Sequence, residues 1–184
     1  MLNFCGIAYD RQTNTLSFQD TGGIHEIAKV VNSQLLVKSE FEDYFLTSIS
    51  KELNGVYRAG FYNSTLLLSR KLFENLLVKL LEHKYPKNVD NNLDLYFDTS
   101  RNSYRDFSDL IKVLGDKKDD FKDGYSTVER FLTKIEKLTD VTNPTAHKLT
   151  YNASREDVSS LELEELLELY KKIAEVVSLN GIIN

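Results

Sequence analysis

The fold class of this chain is decided by one stretch, residues 56–83, with the sequence VYRAGFYNSTLLLSRKLFENLLVKLLEH. Apolar side chains recur there at spacings of three and four residues, which is the period of a helix. They form a stripe at Tyr62, Leu66, Phe73, Leu76, Leu77 and Leu80, which is widened by Leu68, Leu72 and Leu81. Because a helix that is apolar around most of its circumference is usually central in a bundle, we predict a central helix that ends before Pro86.

Shorter stretches with the same period lie on both sides of this helix. We expect further helices at about 24–37, 39–54, 103–115, 126–142 and 154–180. Four serines followed three residues later by an acidic residue resemble N-terminal helix caps, namely Ser39, Ser103, Ser126 and Ser154. Asn54-Gly55 favours a helix end or kink. Asn143-Pro144 also favours an end, since the residue before a proline avoids the helical region.

The first residues have a different period. Apolar and polar residues alternate on both sides of a polar turn at 10–14, which predicts a β-hairpin over residues 4–19. Thr21-Gly22-Gly23 then interrupts the chain. The expected fold is therefore an all-α bundle of five to six helices over 24–184, with a short N-terminal β-hairpin extension at 1–22 and a single domain overall.

Composition excludes several classes of protein. A length of 184 residues corresponds to roughly one domain. The net charge of −5 argues against a non-specific nucleic-acid binder, whose affinity comes mostly from neutralising phosphates. The single cysteine, Cys5, excludes an intramolecular disulfide and a cysteine-rich zinc site, and it fits the reducing environment of the cytoplasm.

Membrane, metal and cofactor sites are not expected either. The longest apolar runs have three residues, so we predict no membrane-spanning segment, no signal peptide and a cytoplasmic location. Three histidines that lie far apart in the sequence make a histidine-based metal site improbable on spacing alone. No glycine-rich phosphate loop is present, and we expect no cofactor.

Two groups of polar residues are candidates for a functional site. Arg70 and Glu74 are four residues apart and share a face of the central helix, where a structural ion pair is the alternative role. Asn143, His147 and Lys148 lie together between two expected helices. Asn143 can hold a turn. His147 can act as an acid or a base near neutral pH, and an ordinary loop histidine is the alternative.

In order and in residue types the chain resembles the HEPN superfamily, helical-bundle proteins of prokaryotic toxin–antitoxin and antiviral systems. The resemblance covers roughly residues 40–180. It is carried by Arg58–Tyr62 with Leu67–Glu74, by Leu110–Leu114, and by Asn143-Pro144-Thr145-Ala146-His147 before a leucine-rich last helix. It implies a metal-independent endoribonuclease in which four to six residues separate an arginine from a histidine, and dimers in which both motifs face one cleft.

The motif's arginine is missing here, because Asp140, Val141 and Thr142 occupy the positions that it would take. Arginine can hold a phosphate through two hydrogen bonds and stabilise developing charge, which aspartate and threonine cannot do. We therefore expect a homodimeric binding or assembly module of a defence or toxin–antitoxin system, with little or no ribonuclease activity. Its ligand would be RNA, a nucleotide or a partner protein.

Two other functions remain open from the sequence. The first is an endoribonuclease that uses His147 with Asn143, its missing cation being supplied in space by Lys137, Arg70 or Arg155. The second is a helical protein–protein interaction domain with no link to nucleic acid. In the binding module, the expected ligand-contacting residues are Arg70, Glu74, Lys148 and Arg155.

Overall fold

The computed structural model describes residues 2–4, 7–10, 15–18, 35–89, 91–147, 152–179 and 182–183. The chain divides into two compact units, Met1–Gln34 and Leu35–Asn184. Lys148 lies outside the described residues, as does most of the helix predicted at 24–37. The described end of that predicted helix, residues 35–37, is not helical.

The first unit contains a three-stranded antiparallel sheet in the order β1 (Leu2–Phe4), β2 (Ile7–Asp10) and β3 (Thr15–Phe18). Leu2 pairs with Tyr9, which sets the register of β1 against β2. The sequence predicts only two strands here, and the structure has a third one, β1, at the start of the chain.

The second unit is predominantly helical, as predicted. It consists of α1 (Tyr44–Arg58), α2 (Tyr62–Lys84), α3 (Phe107–Asp116), α4 (Tyr125–His147), the short α5 (Arg155–Ser159) and α6 (Leu163–Val176). A single turn of 3-10 helix lies at Leu93–Leu95, and a longer 3-10 segment lies at Lys118–Gly124. Two antiparallel strands of two residues each, β4 (Phe97–Asp98) and β5 (Ser103–Tyr104), form a hairpin between α2 and α3.

The central helix is confirmed, although it starts later than predicted. Helix α2 packs against α1, α3, α4 and α5, and its buried residues lie around most of its circumference. Leu76 and Phe73 are fully buried. The helices α1 and α2 are separated by a turn at residues 59–61, where Gly60 has a φ of 79°. The predicted interruption at Asn54-Gly55 lies inside α1.

Three of the predicted caps are wrong. Helix α1 is capped by Asp43, whose carboxylate accepts the backbone N–H groups of Phe45 and Leu46. Ser39 instead donates its N–H to Glu164 on α6. Ser103 lies in β5, and Ser126 lies inside α4, because the preceding 3-10 segment runs directly into that helix. Serine and an acidic residue at this spacing also suit a turn, so the pattern alone does not fix a helix start.

The cap at Ser154 is confirmed. Its hydroxyl accepts the N–H of Asp157, and the Asp157 carboxylate accepts the N–H of Ser154. The predicted last helix is divided in two, however, because Glu162 adopts a left-handed conformation with a φ of 50° between α5 and α6.

Helix α4 continues through Asn143-Pro144 and ends at His147, contrary to the prediction. A proline removes one hydrogen bond from a helix interior but keeps a φ that suits the helix. Packing compensates for that loss on the preceding turns, since Leu138 and Thr142 are buried on the core side. Among the described residues, no helix is both long and apolar enough to cross a membrane.

Candidate functional site

The C-terminal end of α4 lies against the N-terminal half of α2, and this contact joins two of the predicted site residues. An Nη1 hydrogen of Arg70 is donated to Oδ1 of Asn143 over 2.8 Å. The two residues are 73 positions apart in the sequence. The continuation of α4 past the predicted break carries Asn143 into this contact, because Asn143 lies in the helix and not in a loop.

The guanidinium of Arg70 is held on a second side by α3. Its Cζ lies 5.4 Å from the centroid of the Phe107 ring, which is fully buried at the start of that helix. Arginine stacked on an aromatic ring loses little of its ability to donate hydrogen bonds in the ring plane. Among the described residues, Asn143 is the hydrogen-bond partner of this side chain, so most of its five N–H donors remain free for a ligand.

Glu74 lies one turn after Arg70 on α2 and is half-buried. Burial raises the pKa of its carboxyl group, and the nearby Asp106 raises it further, while Arg70 opposes both effects. In the described part of the chain, Arg70 and Glu74 form no ion pair, so they do not have the purely structural ion-pair role that is the alternative to a functional one. The site therefore combines a fixed cation with a carboxyl group that is shifted toward its neutral form.

Asn63 lies on α2, two turns before Arg70, and binds the segment that precedes α5. Its Oδ1 accepts the backbone N–H of Ala153 over 2.7 Å. Ala153 precedes the cap of α5, so this bond fixes the start of the last two helices relative to α2. His147 ends α4 one turn beyond Asn143, and positions four residues apart share a helix face.

The other predicted cations lie elsewhere. Nε of Arg155 is 3.4 Å from the hydroxyl of Tyr57, whose ring packs edge-on against Tyr62. Nζ of Lys137 donates to the carbonyl of Ser160 over 2.6 Å. Of the three cations proposed to replace the motif arginine, Arg70 is therefore the one that contacts Asn143.

The sequence did not identify Phe107 or Ala153 as part of this site. Phe107 looks like an ordinary core residue at a helix start, and the role of Ala153 depends on its backbone N–H, which no sequence pattern marks. The described residues contain no group of three or more His, Cys, Asp or Glu side chains that could hold a metal ion. Comparison with protein-family models, with curated proteins and with solved structures found no match for this chain.

Proposed function

We propose that this chain is a HEPN-like binding module that contacts single-stranded RNA through Arg70 at the junction of α2 and α4. The observation that supports the proposal is the Arg70–Asn143 hydrogen bond, which fixes a guanidinium beside the segment that resembles the family signature. Arginine is well suited to phosphate because its planar group can donate two parallel hydrogen bonds. A fixed guanidinium also loses less side-chain freedom on binding than an unrestrained one.

Binding without cleavage is the favoured form of this function. At the positions where the motif arginine would stand, Thr142 is fully buried and Asp140 is exposed. A buried threonine cannot reach a phosphate, and the carboxylate of Asp140 would repel one. The proposal includes a cytoplasmic homodimer that works in a defence or toxin–antitoxin system, as the family resemblance implies.

Metal-independent RNA cleavage is the second candidate function. The same hydrogen bond favours it, because Asn143 lies one turn before His147 and brings Arg70 to that end of α4. Arg70 would then stabilise the negative charge that develops on the phosphate, and His147 would act as the base.

One experiment tests both candidates. Labelled single-stranded RNA is incubated with the full chain without added metal, and binding and cleavage are measured in parallel. Arg70→Gln is compared with Arg130→Gln, which removes the same charge from an exposed position on α4 that faces Glu165. We expect binding by the wild type, roughly tenfold or weaker binding by Arg70→Gln, and no change for Arg130→Gln, because a charge-assisted hydrogen bond is lost at one site only.

The cleavage arm uses His147→Ala. Cleavage by the wild type that disappears in both His147→Ala and Arg70→Gln would replace the binding proposal with the endoribonuclease. Absence of RNA binding by the wild type, or equal losses in the two arginine variants, would contradict both and favour a protein-interaction domain. Circular dichroism melting curves of each variant show whether the fold is retained.

A further inference from the structure

A cavity lies in the helical unit, between residues 35–41 and one face of α1. These residues, none of which is helical, run beside the helix and are called the strap; together with the helix they line this partly open cavity of about 470 Å³. Cavities that bind small molecules usually have volumes of about 300–1,000 Å³. All of the lining residues belong to the unit Leu35–Asn184.

The walls of this cavity are fixed by two side chains. Asn54 of α1 accepts the N–H groups of Leu36 and Val37 over 2.8 and 3.0 Å, and it donates to the carbonyl of Val37 over 2.7 Å. Glu164 of α6 accepts the backbone N–H groups of Lys38 and Ser39. A cavity whose walls are already held in place requires little ordering when a ligand binds.

The charges around the cavity are mostly positive. Lys38, Lys51 and Arg58 line it, and Glu40 is the one carboxylate among the lining residues. None of the three cations forms an ion pair with any residue that the structure describes. Three unpaired cations in one place differ from the chain as a whole, whose net charge is −5. A concave site lined by one sign of charge concentrates ligands of the opposite sign.

Ser50 adds a buried polar group to this site. The residue lines the cavity and is only 7% exposed, and its hydroxyl has no hydrogen-bond partner within the described ranges. No completely buried side-chain polar atom in those ranges lacks a partner, so this hydroxyl keeps its access to solvent on the cavity side. A hydroxyl without a protein partner, on a residue that is otherwise buried, is a group that a ligand can satisfy.

We propose that the cavity binds a small organic anion, with an apolar body and one phosphate or carboxylate group. Val37, Phe41 and Leu35 provide apolar surface for the body. Lys51 and Arg58 lie about two turns apart on α1 and provide the charge for the anionic group, and Ser50 donates or accepts a hydrogen bond. Inorganic phosphate alone would leave the apolar wall uncovered, and a neutral molecule would leave the three cations without an opposite charge, although Nε of Arg58 donates to the carbonyl of Asn54. This site is independent of the one proposed for RNA.

The test uses a matched set of probes, namely phenyl phosphate, benzoate, inorganic phosphate and phenol. Amide chemical shifts of the full chain are followed as each probe is added. We expect phenyl phosphate or benzoate to shift amides of residues 35–58 at concentrations where inorganic phosphate and phenol do not, and the stronger of the two identifies the anionic group. The double variant Lys51→Gln/Arg58→Gln should bind roughly tenfold more weakly, as expected for lost charge-assisted hydrogen bonds.

The control is Lys87→Gln/Lys172→Gln, which removes the same charge from exposed positions outside the cavity. Ser50→Ala is a second variant that leaves all charges in place and should also weaken binding. The proposal is overturned if no probe shifts the amides of residues 35–58, if inorganic phosphate binds as well as phenyl phosphate, or if the control variant loses as much affinity as the cavity variant.

Discussion

Asn54 shows what one buried amide contributes to this fold. Its side chain makes three hydrogen bonds to the backbone of Leu36 and Val37, so it attaches the strap to α1. Residues of this type often interrupt helices in sequence-based predictions, because they compete for backbone hydrogen bonds. Here the Asn54 side chain bonds to the backbone of the strap and not to the backbone of its own helix, so α1 continues through Asn54.

We expect Asn54→Ala to lower the free energy of unfolding by about 2–4 kcal/mol, because three hydrogen bonds are lost and buried backbone groups stay unpaired. Urea unfolding followed by circular dichroism measures this change. Asn75→Ala is the matched control, since Asn75 donates to Lys71 in an exposed position of its own helix and should change stability by less than about 0.5 kcal/mol. Equal losses in the two variants would contradict the role assigned to Asn54.

Glu74 gives the protein a pH dependence whose sign is set by burial. Burial raises the pKa of this carboxyl in the folded state, with a further contribution from Asp106 and opposition from Arg70. The folded state then holds the proton to a higher pH than the unfolded state does. Its contribution to stability is therefore most favourable below the unfolded pKa, and it declines as the pH rises from there to the folded pKa.

Glu74→Gln should remove this effect. We expect the variant to be more stable than the wild type at pH 7, with a gain in the urea midpoint that shrinks when both are measured near pH 4. Glu175→Gln, at an exposed position of α6, is the control for the loss of one negative charge. A gain that is the same at both pH values, or a loss at pH 7, would show that Arg70 outweighs burial at this carboxyl.

At the scale of elements, the turn between α1 and α2 depends on Gly60. This residue has a φ of 79°, a conformation that side chains with a Cβ rarely adopt. Gly55 lies five residues earlier, inside α1, and a Cβ at either glycine would meet no atom within 4 Å. The two positions therefore differ in backbone conformation and not in available space.

The two alanine variants should have opposite effects. Gly60→Ala is expected to destabilise the protein by about 1 kcal/mol through left-handed strain. Gly55→Ala is expected to stabilise it by about 0.5–1 kcal/mol, because alanine favours the helix. Thermal unfolding of both variants beside the wild type measures the difference. Stabilisation by Gly60→Ala would mean that the turn is not held in this conformation in solution.

At the scale of the whole molecule, the proposed homodimer needs apolar surface that the helical unit leaves exposed. The aromatic ring of Phe107 is fully buried in the unit's own core and cannot serve. Phe61 can, since it is 63% exposed in the turn before α2, next to the end of that helix which carries Asn63. Aromatic residues are enriched in the cores of protein interfaces.

We expect sedimentation at micromolar concentration to give twice the chain mass of 21.2 kDa. Phe61→Ser should shift the equilibrium toward the monomer, whereas Val89→Ser, at a loop position that is 53% exposed, should not. A wild type that sediments as a monomer would contradict the dimer. Loss of association in Val89→Ser alone would place the interface on a different surface.

The sequence by itself determined the features that depend on local periodicity and composition. The apolar stripe from Leu66 to Leu80 predicts α2 and its central position, because burial of that surface outweighs any alternative for the segment. The capping box at Ser154 is likewise a local interaction, complete within four residues. Arg70, Glu74 and Asn143 could be named as candidates from residue type and spacing alone.

The tertiary structure decided which of these residues meet and where the helices end. Asn54 and Ser39 find their partners 17 and 125 positions away, so neither ends nor starts a helix as its local pattern indicates. Helix α4 passes Pro144 because packing on the core outweighs the loss of one backbone hydrogen bond. The contact of Arg70 with Asn143 and the cavity beside the strap also depend on how the segments pack against each other. These segments are distant in sequence, and contacts of this kind leave no periodic signal in the chain.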